Sequence, residues 1–247
     1  MGELARTGFV PSRDGFAFTN SWPSEAAIGL PTPFGRVGIG NAARGLCGGM
    51  VFGALDYWHA GAQPPADRPA PRSAAFRFIV RRLIRSWHIP VGVARYYYWM
   101  NLPDADTSLR LAGLIRPQRR GLRTRTIARQ WPRIRAQLEA GQPAALGIVT
   151  VASANPLLLG HNHQVLAYAC LAEKTEVTLL VYDPNSGPAD DVRIRFDTAA
   201  PATGGFAHTI DISGPVRGFF LTAYSPVVPP GDLKAAGSSE GSGSARP

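Results

Sequence analysis

From residue 47 to about 140, apolar side chains recur at three- and four-residue intervals; from 144 onward they alternate or run unbroken over strand lengths. The first regime predicts helices. One runs from about Cys47 to Trp58, with Met50, Val51, Ala54, Leu55 and Trp58 on one side. A second runs from about Ala74 to Ser86, with Phe76, Ile79, Val80, Leu83 and Trp87 at helical spacing and Ser73 placed to cap it. A short helix or turn covers Ala94 to Met100. A third helix is capped by Thr124 or Thr126 and carries Ile127, Trp131, Ile134 and Leu138 inward, until Gly141 stops it.

The second regime predicts strands at 144–151, 164–169, 177–182, 192–196 and 219–224, the second and third joined by a polar turn at 172–175. Upstream of the helices, Phe16-Ala17-Phe18-Thr19 reads as a strand or extended arm. Residues 23–42 and 61–73, rich in Pro and Gly, read as loops. Helices followed by strands argue an α+β fold with an antiparallel sheet. The expected organisation is one domain over residues 1–228, with a helical half at about 41–140, a sheet half at about 141–228, and a disordered Gly/Ser-rich tail at 229–247.

Charge changes this picture little. The net charge is +9, and of 26 basic residues only Lys174 and Lys234 are lysines. Nine arginines lie between Arg110 and Arg135. Such a cluster suits a nucleic-acid surface or a solvated helical face, and no nucleic-acid reader motif accompanies it. Two cysteines, Cys47 and Cys170, cannot staple a secreted scaffold or build a cysteine-pair zinc site. The first fifteen residues lack the apolar core of a signal peptide, Arg6 stands where a myristoylation signal prefers Ser or Thr, and no apolar run spans a bilayer. The expectation is a cytoplasmic protein without a membrane partner.

Candidate chemistry begins with Cys47 in the stretch RGLCGGM. At a helix N-terminus unpaired N–H groups favour a thiolate, and flanking glycines leave room for a substrate carbonyl. The same residue also suits a small buried core position. His163 opens the apolar run Val165-Leu166-Ala167-Tyr168, where a strand end can hold a general base. Asp183 ends the next strand in VYDPN, where a carboxylate could orient that imidazole or simply begin a turn. His161, His163 and Asp183 could alternatively hold a small metal ion. His59, His88 and His208 have no partners at ligand spacing, Cys170 falls in the strand turn, and Asp56 lies within the first helix, facing solvent or an arginine. Tyr96-Tyr97-Tyr98-Trp99 suits core packing or a groove lining, and Gly38 with Gly40 is a fragment of a phosphate-binding pattern without its lysine.

The order Cys at a helix start, His-Gln-Val at 163–165 and Tyr-Asp-Pro at 182–184 resembles papain-like cysteine peptidases, more closely the C39-like branch and related bacterial proteins. The resemblance covers roughly residues 35–60 and 140–225. It implies a helical half packed on an antiparallel sheet, with Cys47 as nucleophile, His163 as base and Asp183 as its orienter. It also implies an oxyanion-hole amide six residues before the nucleophile, where this chain has Asn41 in place of the family's Gln. The substrate it implies is a peptide or other amide, with no cofactor and no metal. The His-to-Asp spacing, 183 − 163 = 20, exceeds the family's by a few residues and suggests a longer turn at 170–176. Asn20-Ser21-Trp22 matches a tripeptide that in papain follows the cysteine. Here it precedes Cys47 and reads as an extended segment that packs Trp22 on the domain.

Overall fold

The continuous apolar run Ala144–Val149 is buried at every position, so it must be covered on both faces. That is the arrangement found in a computed structural model of the chain, which describes residues 2–22, 28–32, 35–39, 45–107, 110–111, 114–115 and 119–231. An N-terminal arm holds β1 (Glu3–Arg6) and the short α1 (Pro11–Asp14), and a hairpin follows, β2 (Ile28–Thr32) with β3 (Gly35–Ile39). The helices are α2 (Cys47–His59), α3 (Ala74–Ser86) and α4 (Val91–Met100). A two-residue-strand hairpin, β4 (Arg110–Leu111) with β5 (Leu114–Ile115), leads to α5 (Leu122–Arg125), a π-type turn (Thr126–Gln130) and α6 (Trp131–Glu139). Then come β6 (Ala144–Val149), a 3-10 turn (Pro156–His161), β7 (His163–Glu173), β8 (Glu176–Tyr182), β9 (Arg193–Asp197), β10 (Ala207–His208) and β11 (Gly218–Leu221). The fold is α+β.

The main sheet is antiparallel throughout, in the order β10-β9-β8-β7-β6-β11. β7 is long enough to pair β6 along residues 163–167 and, further along the same side, β1 along residues 169–172. On one face α2 and α3 pack through Met50, Leu46 and Ile79 onto Ala145, Leu166 and Tyr182. On the other, Trp131, Ile134 and Leu138 of α6 cover Leu146, Ile148, Val165 and Val181. Helix α4 closes one end of the sheet, with Tyr96, Trp99 and Met100 against Val149 and Phe220. The sheet is therefore sandwiched, rather than backed by helices on a single side.

Several expectations change. Ser73 caps α3 through Phe76 N at 3.1 Å, as its position predicts. Ile28–Thr32 and Gly35–Ile39, expected within a loop, pair as antiparallel strands, while Phe16–Thr19 is irregular and packs Phe16 and Phe18 into the core. Thr126 caps nothing; its hydroxyl is buried between the carbonyl and N–H of Phe219, both at 3.2 Å, where the helical segment shifts to π-type geometry. The turn between β7 and β8 is only Lys174-Thr175, with Lys174 at φ 54°, because the strands pair through to Glu173 and Glu176. The residues that separate His163 from Asp183 extend the strands rather than the loop. Asn41, Gly40, residues 112–113 and 116–118 of the arginine-rich stretch, and the tail from 232 to 247 lie outside the described residues. Among the described residues, no helix is long and apolar enough to cross a membrane.

Candidate active site

Cys47 is the first residue of α2 and is 7% exposed. The residue before it, Leu46, has no side-chain cap bond, so the first N–H groups of the helix converge at the sulfur's end of the element. The glycines after it serve packing. A Cβ on Gly48 would meet Ser86 Oγ at 2.4 Å and Gln164 Nε2 at 2.8 Å, and one on Gly49 would meet Ile79 O at 2.2 Å. The expected room for a substrate carbonyl is thus filled on that side by α3 and β7. A cleft of about 430 Å3 lies beside Gly45 and His163, lined also by Thr150, His161, Asn185 and Ser213 but not by Cys47 itself.

His163 begins β7, and Asp183 follows the last residue of β8. His163 is 4% exposed and Asp183 fully buried. His163 Nε2 lies 2.7 Å from Asp183 Oδ1. The Cys47 side chain lies close enough to the same imidazole to act on it electrostatically. With Nε2 engaged by the carboxylate, Nδ1 is the nitrogen left for the thiol. Burial alone pushes the imidazole's pKa down. The Cys47 charge, hydrogen bonds to Asp183 and Cys47, and the Asp183 charge outweigh it and raise His163 to about 10. Burial likewise pushes Asp183 up, but its bonds and charge contact with His163 and two backbone N–H groups hold it below its ordinary value.

Asp183 accepts four hydrogen bonds. Oδ1 takes His163 Nε2 and Asn185 N, at 2.7 and 2.9 Å, and Oδ2 takes Ser186 Oγ and Asp211 N, at 2.9 and 2.8 Å. All its acceptor directions are used, which suits an ionised carboxylate out of water. The Asn185 bond is an Asx turn, so the turn signal in Asp-Pro-Asn and the orienting contact to His163 occur in one structure.

Behind the site stands Tyr96. Its hydroxyl donates to the His163 carbonyl at 3.2 Å and occupies space that a side chain on Gly147 would fill, since a Cβ there would lie 2.4 Å from Tyr96 Oη. Burial, with the nearby Cys47 charge, pushes this phenol well up, so it stays a donor. Gln164 points to the α2 face, its Nε2 donating to Ser86 Oγ at 3.2 Å; its Oε1 is buried with no hydrogen-bond partner among the described residues. From sequence, Tyr96 reads only as core or a groove lining, and Gln164, Asn185, Ser186 and Asp211 have no assigned site role. Only the alternation of β7, which sends Gln164 opposite to His163, offered a signal in sequence.

The remaining candidates lie elsewhere. Asn41 lies outside the described residues. Cys170 is within β7, opposite Leu179 and Ala5, not in a turn, and neither cysteine is in a disulfide. His161 is exposed on the cleft wall. With His163 and Asp183 it makes no ligand set, and among the described residues no group of three His, Cys, Asp or Glu could hold a metal ion. Asp56 is buried against Arg82 at 2.6 Å and accepts the Tyr224 hydroxyl at 2.7 Å. His59 stacks on Tyr224, His88 contacts the Ala223 carbonyl and His208 lies in β10, all away from Cys47. Of the aromatic run, Tyr96 and Trp99 pack on Phe220, and Tyr98 is exposed beneath Arg125.

No protein-family model, curated protein sequence or solved structure matches this chain.

Proposed function

We propose that the protein is a papain-like cysteine hydrolase acting on a peptide or other amide. The observation that supports this most is one buried imidazole, His163, bonded to Asp183 at Nε2 and influenced by the neighbouring Cys47 side chain. In this reading His163 takes the proton of the Cys47 thiol. The sulfur attacks the substrate carbonyl, and the imidazolium gives its proton to the departing amine as the tetrahedral intermediate collapses to a thioester. His163 then takes a proton from water, the resulting hydroxide attacks the thioester, and as the acid leaves the departing sulfur takes that proton back from His163, restoring the thiol and the neutral imidazole. Asp183 accepts a hydrogen bond from Nε2–H throughout and keeps Nδ1 aimed at the sulfur. The Cys47 backbone N–H, in the first turn of α2, would face the developing oxyanion, with Asn41 the second donor that the family resemblance implies. The cleft beside Gly45 and His163 is where the acyl carbon would sit.

The test is alkylation of Cys47 by iodoacetamide across pH 4–9. An ion-paired thiol reacts at mildly acidic pH, Cys47→Ala abolishes the label, and His163→Ala returns the reaction to the pH range of an ordinary thiol near ~8.5. A wild-type profile identical to that of His163→Ala would end the proposal. Acid-range labelling without turnover of any peptide or amide would recast the site as a binding module.

A further inference from the structure

Asn20 lies far from Cys47 in sequence, yet it is buried at the junction between Cys47 and Asp183, 1% exposed. Its Oδ1 accepts from the Trp22 indole Nε1 at 3.1 Å and from the backbone N–H of Leu46 at 3.2 Å. Both neighbours can only donate, so the amide's orientation is set by chemistry, and its Nδ2 must point the other way. There it donates to Asn185 Oδ1 at 3.1 Å, while the Asn20 backbone N–H donates to Pro184 O at 2.8 Å. Asn185 donates its own N–H to Asp183 Oδ1 and its Nδ2 to Asp211 O; Asp211 N–H donates to Asp183 Oδ2. An unbroken chain of hydrogen bonds thus links the residue before Cys47 to both oxygens of the carboxylate that holds His163.

We infer that Asn20 is a positioning residue that fixes the entry to α2, and with it the Cys47 sulfur, against the His163–Asp183 pair; this rests on the cysteine-hydrolase reading. The three groups come from three separate stretches of chain. Leu46, an apolar residue at the N-cap, makes no side-chain capping bond to α2, and its N–H is held by Asn20, so the register of the sulfur against the imidazole depends on that bond. Trp22, buried against Phe18 and Phe76, anchors Asn20 from the other side. A buried amide with a purely structural role would alter stability alone. A positioning amide also alters how the thiol reacts in the folded protein, because a displacement of about 1 Å in a reacting group can cost roughly 100-fold.

The experiment measures iodoacetamide alkylation of Cys47 against pH in the full chain, with folding checked by near-ultraviolet circular dichroism. Wild type, Asn20→Ala, Asn20→Asp and His163→Ala are compared. Asn20→Ala is expected to react roughly 10- to 100-fold more slowly at pH 5, with its profile moved toward that of His163→Ala. Asn20→Asp keeps an oxygen for Leu46 and Trp22 and should recover part of the rate. Should Asn20→Ala not fold, Asn20→Asp and Asn20→Ser are read in its place, the serine lacking the reach to Leu46. Folded variants with a wild-type profile, whatever their melting temperature, would overturn the inference and leave the hydrolase reading standing. A wild-type profile equal to that of His163→Ala would remove both.

Discussion

His163 and Asp183 share one face of the sheet because β7 carries one residue more than β8 between Ala167 and Ala169. From Glu173 to Ala169 the partners follow one register, with Ala169 opposite Leu180. Past the bulge Ala167 faces Val181 and Leu166 faces Tyr182, so Tyr168 is the unpaired extra residue. Carried one step on, the bulged register sets Asp183 opposite Val165, on the same face as His163. In the unbulged register Asp183 would lie opposite Leu166, on the α2 face with Gln164, and could not reach the imidazole. The Tyr168 hydroxyl, donating to Asp190 O at 2.6 Å, ties the bulge to the segment that follows β8.

The four bonds on Asp183 make its charge hard to replace. In Asp183→Asn one oxygen can still accept from His163, but the new amide then faces the Asp211 N–H, a donor against a donor. The variant is expected to lose about 1–3 kcal/mol in urea denaturation. Its Cys47 alkylation rate at pH 5 should fall at least tenfold, measured on the folded protein.

The pH dependence of stability follows from the two shifts. His163 is raised, so its contribution is complete below about 6.5 and is lost as pH rises through about 10. Asp183 is lowered, so its contribution is complete above about 3.9 and is lost as pH falls through its depressed folded value. Stability should therefore be flat between these limits and fall at both ends. In Cys47→Ala the raising contribution of Cys47 is gone, burial weighs more heavily, and the His163 titration followed by NMR should move down, taking the alkaline limit with it.

Gly147 tests the wall behind the site. Gly147→Ala would place a methyl 2.4 Å from Tyr96 Oη and 2.7 Å from Phe220 Cζ in a fully packed region. A loss of about 1–3 kcal/mol is expected from overpacking. Tyr96→Phe, which removes the donor to the His163 carbonyl without adding volume, should cost about 1 kcal/mol. Chemical denaturation of both variants separates the volume effect from the hydrogen bond.

Arg82 and Asp56 form a buried ion pair remote from Cys47 that ties α3 to α2. The guanidinium also donates to Ser225 O, and Asp56 accepts from Val227 N, so the pair fastens the segment after β11. Arg82→Ala leaves a buried carboxylate without its partner and should cost about 3–5 kcal/mol. The Cys47 alkylation profile of the molecules that remain folded should be unchanged, which gives a control for the site variants.

Local pattern alone determined a good deal of this molecule. The helical spacing of Met50, Val51, Ala54 and Leu55 places α2 with Cys47 at its start, and the apolar runs after residue 144 place the sheet, because a 3.6- or two-residue period is a property of neighbouring residues. The side chains of Cys47, His163 and Asp183 could be singled out in the same way, each from its place at an element's end. Tertiary structure decided the rest. Cover for the sheet on both faces, the bulge at Tyr168 and the filling of the space over Gly48 all depend on residues distant in the chain. Asn20 is the clearest case: the Asn20-Ser21-Trp22 stretch marks a segment that packs Trp22 on the domain, but the amide's bonds to Leu46, Asn185 and Pro184 exist only once the arm, α2 and the turn after β8 have met. Periodicity records which face of an element is buried; which buried polar groups satisfy one another is settled by long-range packing.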